Sequence, residues 1–371
     1  MAIRKKVSLF QTALGLSAAC LLAALLFGLL IPAPTPAKIF AAACPVLLAV
    51  GLSDTPLKGF RYTVLIIAAV TAPLCFPEHF LRIGPVNLQD RRLILPIVQL
   101  VMFGMGTQMS IQDFLGVAKM PKAVIIGTAC QFTIMPLVGF ALAKTFGFPP
   151  EIAAGIILIG SCSSGLASNV MNYIAGANLA LSVTLTALAQ LLAPLLTPLW
   201  MKLLAGEMVH IQFLKMMQEI ILMVLLPIAA AFVYNAVRKE RWHRLHRLMP
   251  ILSMAGILYF TAVTTAAGRD HLLNIGILLF AAAALHNTLG YFLGYWATRL
   301  CGLDKNSCRT IAIEVGLQNG GMASGLAAAM GKLATVGLAA AVFSPWMNVS
   351  GSILANYWRK HPPNDTPSAS G

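Results

Sequence analysis

The sequence predicts an all-α integral membrane protein, and three observations carry that prediction. Hydrophobic residues make up 58% of the 371-residue chain and charged residues only 10%, with a mean hydropathy of +0.81, whereas a soluble domain carries about 25% charge. Apolar runs close to the ~20 residues a helix needs to cross hydrocarbon recur from end to end. The basic residues behind the net charge of +14 collect between those runs instead of forming one patch.

The runs fall at about 8–31, 37–52, 60–77, 92–112, 122–146, 150–173, 178–203, 214–237, 250–267, 272–298, 309–331 and 333–356. The first follows Arg4-Lys5-Lys6 and resembles a signal peptide, but its apolar part is long and no small-x-small cleavage site follows, so a retained anchor is expected. The second has 16 residues and contains Pro45; it either spans or re-enters. These two form an N-terminal extra hairpin within residues 1–57, ahead of a ten-segment region at 58–358. The tail at 359–371, ending "HPPNDTPSASG", reads as disordered. Twelve crossings from an inside N-terminus place 17 of the 26 Lys and Arg residues in the cytoplasm. That bias puts both termini on the cytoplasmic side. The densest basic run, "RKERWHRLHR" at 238–247, lies between two apolar stretches, which fits an inside loop better than nucleic-acid binding.

Seven cysteines are scattered singly, without a CxxC, so neither a disulfide framework nor a zinc site is expected. Cys301 and Cys308 share a short polar connection and read as reduced cytoplasmic thiols.

Two Gly-rich segments align with each other. Gly160, Gly165, Ala167 and Ser168 match Gly316, Gly321, Ala323 and Ser324 at an offset of 156, which also carries Gln131 onto Asn287. The segments lie five spans apart, and an odd separation gives opposite orientations. That is the plan of an inverted repeat, about 60–203 and 214–356, with interrupted helices.

Among the carboxylates, Glu314 alone falls well inside a run, about 7–8 Å deeper than Arg309 at ~1.5 Å per residue. An interfacial carboxylate pairing with Arg309 is the plain reading. Against it, Gln318 follows at i+4 on the same face, and Gly320-Gly321 lets the helix unwind and free its carbonyls. A buried carboxylate with unwound carbonyls suits a hard cation such as Na⁺. In the paired segment Ser161, Ser163, Ser164, Gly165, Ser168 and Asn169 cluster, followed by Ser182 and Thr186 at i, i+4. Single serines in such helices merely allow close packing; a cluster ending in Asn and mirrored in a second segment points further. Half-helix N-termini at two breaks favour an anion. No intramembrane aspartate pair and no HExxH occur, so enzyme chemistry is not expected.

"FGMGTQMSIQDF" (103–114), "GSCSSGLASNVMNYIAGANLALSV" (160–183) and "EVGLQNGG" (314–321) resemble the signature stretches of the bacterial bile acid:sodium symporter family, over roughly residues 58–358. The resemblance implies a bacterial inner membrane, ten core helices divided into panel and core domains, with two discontinuous helices that cross, and symport of an organic anion with two Na⁺ ions. It implies one Na⁺ at Ser168, Asn169, Ser182, Thr186 and Glu314. The second lies at Gln131, Glu314 and Gln318 with the carbonyls of Val315 and Leu317. The substrate crevice maps to Gly165, Leu166, Asn319 and Asn348. Where relatives commonly read Cys-Pro-Gly-Gly-Thr-Ala-Ser-Asn, this chain has "CSSGLASN", so Leu166 removes a hydroxyl at the crevice rim. A proton-coupled or uniport carrier, in which Glu314 titrates, and a ligand sensor without transport are the alternatives. The sequence does not fix the substrate or the oligomeric state.

Overall fold

A backbone in hydrocarbon must satisfy its own N–H and C=O groups, and a helix does this within one segment. The computed structural model, which describes residues 2–25, 34–52, 61–110, 113, 117–237 and 243–363, is accordingly built almost wholly of helices. The connections at 26–33 and 53–60, residues 238–242 of the basic run and residues 364–371 of the tail lie outside the described residues.

Helices α1 (Ala2–Leu25) and α2 (Pro34–Gly51) pack on each other, and α2 packs in turn on α3 (Arg61–Cys75). The α2 helix continues through Pro45 without a break. A short helix α4 (Pro77–Leu81) and an antiparallel ribbon, β1 (Arg82–Ile83) with β2 (Val86–Asn87), turn at Gly84, whose φ is +56°. That left-handed value is one glycine adopts without steric cost. The chain then enters α5 (Arg91–Gly106), capped by Asp90, which accepts from the Arg92 N–H at 2.8 Å.

Next come α6 (Pro121–Thr145), α7 (Pro150–Ser161), α8 (Leu166–Ala175) and α9 (Leu179–Ala205). Proline opens α6 and α7, where its missing N–H costs nothing. Helix α10 (Phe213–Val237) holds a π-helical turn at Ile221–Leu225, just before Pro227, whose ring and absent N–H perturb the regular ladder. It is followed by α11 (His243–Ala267), α12 (Arg269–Leu300), α13 (Lys305–Gly316), α14 (Gly320–Ala329) and α15 (Val336–Lys360). Among the described residues α6, α9, α10, α12 and α15 are each long and apolar enough to cross a membrane.

Two segments read as single apolar runs are each cut into two half-helices. The first is α7 then α8, of 12 and 10 residues. The second is α13 then α14, again of 12 and 10 residues. Helix α7 is buried at every position from Ile152 to Ser161, as an all-round apolar helix should be. Helix α6 packs on α7, α9, α12 and α13, and α15 on α7, α8, α12 and α14. A second group, α3, α5, α10 and α11, is linked through α5 and α11. It meets the first where α14 touches α5 and α10, and where α15 touches α3 and α11.

Candidate functional site

The two breaks lie against each other. The Asn319 N–H donates to the Ser163 carbonyl at 2.9 Å, and Ser164 and Gln318 form an isolated antiparallel bridge. A Cβ placed on Gly165 would stand 3.5 Å from the Gln318 carbonyl oxygen and 3.6 Å from the Asn319 Cα, in ordinary contact, so the second break packs directly beside Gly165.

Carbonyls released at the first break find side chains. Thr197 donates to the Ser161 carbonyl at 2.8 Å, Gln131 to Cys162 at 3.2 Å, and Gln190 to Ser164 at 2.9 Å. At the second break Asn287 donates to the Gly316 carbonyl at 2.7 Å. Gln131 and Asn287, paired by the sequence offset, thus do the same work: each comes from the helix preceding a break and caps the end of its first half. Asn319 opens α14 by accepting from the Met322 N–H at 3.0 Å.

Glu314 is 2% exposed and sits near the C-terminal end of α13, the negative end of the helix dipole and unfavourable for a carboxylate. Arg309 does not pair with it. That guanidinium donates to the carbonyls of His361 (2.8 Å) and Trp358 (3.4 Å) and lies over the Trp358 ring. Among the described residues no Lys, Arg or His side chain forms an ion pair with Glu314. Its neighbours are instead Ser182 Oγ, 2.5 Å from Oε1, and Thr186 Oγ1, 3.0 Å from Oε2. Asn172 Nδ2 stands 3.5 Å from Oε1.

The same two hydroxyls face a second acceptor, Asn169 Oδ1, at 2.7 Å from Ser182 and 3.2 Å from Thr186. Ser168 Oγ lies 3.5 Å from Thr186 and donates to the Gly165 carbonyl at 2.7 Å. A hydroxyl carries one proton, so Ser182 and Thr186 bring two protons to three acceptor oxygens, Oε1 and Oε2 of Glu314 and Oδ1 of Asn169. The cluster has more oxygen lone pairs than protons, and Asn172 Oδ1 adds a buried acceptor without a hydrogen-bond partner. That donor set fits a hard cation. Among the described residues no three His, Cys, Asp or Glu side chains gather.

A second cluster lies beside it. Gln131 Nε2 donates to Gln318 Oε1 at 2.9 Å, and Gln318 Nε2 to the Val315 carbonyl at 2.6 Å. Gln131 Oε1 is buried without a partner, again an acceptor fit for a cation. Leu317 is buried at the break, its N–H bonded to the Ile313 carbonyl. No hydrogen bond joins Glu314 to Gln131 or Gln318 among the described residues, so its own contacts belong to the first cluster. Of the expected crevice residues, Gly165, Leu166 and Asn319 lie at the crossing. Asn348 comes from α15, and its Nδ2 donates to the Ser344 carbonyl one turn back in that helix.

Sequence reasoning missed two residues. Asn172, fully buried, reaches Ser182 (2.9 Å) and the Thr310 carbonyl (3.4 Å) as well as Glu314; its signal was the i, i+3 spacing from Asn169. Gln190 continues the Ser182, Thr186 face at i+8 and holds the first break through Ser164.

The sequence profile described as the Sodium Bile acid symporter family matches residues 95–275. An uncharacterized sodium-dependent transporter of Bacillus subtilis (strain 168) is 41% identical over 303 residues, covering 81% of this chain and 92% of that protein. A probable chloroplastic sodium/metabolite cotransporter of rice, BASS1, is 31% identical over 339 residues, 90% and 82% of the two chains. The ileal sodium/bile acid cotransporter of Cricetulus griseus is 30% identical over 230 residues, 60% of this chain and 65% of that one. The chain is a multi-pass membrane protein that belongs to the sodium bile acid symporter family, a family of transporters and not of enzymes.

Proposed function

We propose that this chain is a sodium-coupled symporter of an organic anion, working by alternating access with two Na⁺ sites at the crossing of its broken helices. The observation that carries this reading is the proton-poor oxygen cluster around Glu314, where two hydroxyls serve three acceptor oxygens. Glu314, Asn169, Ser168, Ser182 and Thr186 hold the first ion. The second takes Gln131, Gln318, Glu314 and the Val315 and Leu317 carbonyls. Na⁺ is a co-substrate here: it neutralises a carboxylate that otherwise sits buried at the wrong end of a helix.

The organic anion binds beside the crossing, at Gly165, Leu166, Asn319 and Asn348. The N-termini of α8 and α14 start at that place and bring their positive dipole ends to it. The matched 12- and 10-residue half-helices and the matched amide caps support an inverted repeat within residues 58–358. In it α6–α9 and α12–α15 form the core, and α3, α5, α10 and α11 the panel. The core shifts against the panel during transport, and α1–α2 is an added hairpin.

The chain crosses an inner membrane twelve times, with both termini in the cytoplasm. Among the described residues the ion pairs Lys332–Glu151 and Arg91–Glu219 each join residues that this topology places on one side, which supports the relative orientation of the spans within residues 58–358.

The test is uptake of a panel of organic acids into proteoliposomes, with Na⁺ replaced by choline at fixed pH. Na⁺-dependent accumulation is expected. Uptake indifferent to Na⁺ assigns the chain to proton coupling or uniport, and saturable binding without flux assigns it to ligand sensing.

A further inference from the structure

Away from the crossing, α12 and α15 splay to leave a groove of about 650 Å³, lined among others by Tyr291, Phe292, Trp296, Arg309, Ser350 and Ile353. Its walls face outward: Phe292 is 58% exposed, Trp296 50% and Ile353 58%. On a membrane-embedded helix such a face meets lipid. The floor makes few polar demands. Tyr291 and Ser350 hydroxyls lie 3.2 Å apart, and Ser350 donates to Asn287. The body of the groove therefore suits hydrocarbon.

One end is different. Arg309 is the only charged residue among the described residues lining the groove. Its guanidinium is fixed by the carbonyls of Trp358 and His361 and by the Trp358 ring, 5.4 Å from the ring centroid. Two of its five N–H donors are used there, and the others are left for an anion. Arg359 and Lys360 end the same helix, and Arg299 ends α12, held to the Leu303 carbonyl. Asp304, the nearby acid, is occupied in capping α13 through the Ser307 N–H. Tyr295 meets Trp296 edge-on and Trp358 at a tilt at this level, with ring centroids 5.6 and 6.3 Å away, and aromatic residues collect in this way at a membrane–water interface.

We propose that the groove between α12 and α15 binds an anionic phospholipid, with its phosphate at Arg309 and an acyl chain along Phe292, Trp296 and Ile353. Charge complementarity selects the headgroup, and the apolar trough selects a lipid over a free phosphate. On the proposed topology this basic rim is cytoplasmic, the side where juxtamembrane basic residues meet anionic headgroups.

The experiment is native mass spectrometry of the delipidated full chain, titrated with equal amounts of phosphatidylglycerol and phosphatidylcholine. Wild type is expected to retain phosphatidylglycerol about tenfold better, as one charge-assisted contact of ~1.4 kcal/mol gives. Arg309→Gln abolishes the preference. Because Arg309 also tethers the end of α15, the double variant Arg359→Gln/Lys360→Gln, on the exposed rim, is the second reading and weakens it. Ile353→Asp reduces retention of both lipids, and Lys202→Gln, on α9, leaves the preference intact. An unchanged preference in both Arg309→Gln and the double variant overturns the site. So does equal retention of sn-glycerol phosphate without acyl chains, which makes it an anion site only.

Discussion

Ser182 Oγ and Glu314 Oε1 lie 2.5 Å apart and join α9 to α13 where both are buried. The contact holds a carboxylate by hydrogen bonds alone, with no cationic side chain, and the cost of burying that charge falls on whatever binds there. Glu314→Gln keeps the shape and removes the charge. The variant should fold as well as wild type without Na⁺. Wild-type protein in NaCl, compared with KCl at equal ionic strength, should gain up to about 2.7 kcal/mol when Na⁺ is 100-fold above its dissociation constant. That gain should vanish in Glu314→Gln, together with Na⁺-driven uptake. A Na⁺-specific thermal shift of wild-type size in the variant removes Glu314 from the ion sites.

Asn172 offers a finer test, because the two N–H donors of its amide face Ser182, the Thr310 carbonyl and Glu314, and its own Oδ1 is unmet. Asn172→Ala deletes one buried hydrogen-bonding partner, worth about 1–3 kcal/mol. The expected outcome is a rise of roughly tenfold or more in the Na⁺ concentration for half-maximal uptake, with the substrate KM at saturating Na⁺ little changed. If substrate KM rises and Na⁺ dependence does not, Asn172 belongs to the substrate's surroundings.

The crossing also separates glycines by what surrounds them. A Cβ at Gly160 would stand 2.5 Å from the Met135 carbonyl oxygen and 3.0 Å from His286 Nε2, with backbone unable to yield. Gly160→Ala should therefore destabilise by about 1–3 kcal/mol, as overpacking does. At Gly165 the nearest atom would be 3.5 Å away, and its φ of −110° suits any residue. Gly165→Ala should melt within a degree or two of wild type yet lose uptake, since its methyl group enters the crossing. Equal melting losses in the two variants, read by denaturation in one detergent, would contradict the packing.

How legible was this in the sequence? Apolar runs marked the helices because hydrocarbon enforces their length, and Ser, Gly and Asn marked the breaks because those residues tolerate or cap a helix end. Glu314 and Gln318 stood out by polarity alone. Asn172 and Gln190 did not, since one amide per turn in a helix reads as packing until the facing helix is known. The contacts between α6 and the two breaks, Gln131 with Cys162 and with Gln318, cross 31 and 187 residues of chain, and local pattern carries no register over such distances. Closeness in sequence offered Arg309 as a partner for Glu314, a reading that Gln318 and the glycine pair spoke against, and the Arg309 side chain leaves toward the end of α15.

Cys301 tests the membrane orientation. It is exposed in the turn between α12 and α13, whereas Cys130, Cys162 and Cys308 are buried. Thiol modification needs access as well as a thiolate, so with Cys20, Cys44 and Cys75 changed to alanine, Cys301 should be the one thiol that reacts readily. The charge bias predicts a cytoplasmic side for this turn, which holds Arg299, Lys305 and Arg309. A membrane-impermeant maleimide should label inside-out vesicles and leave right-side-out vesicles unlabelled, and Cys301→Ala should abolish the signal. Labelling from the outside would invert the chain. It would also move the basic groove end to the outer leaflet and oblige the added α1–α2 hairpin to cross the membrane an odd number of times, or the N-terminus to lie outside.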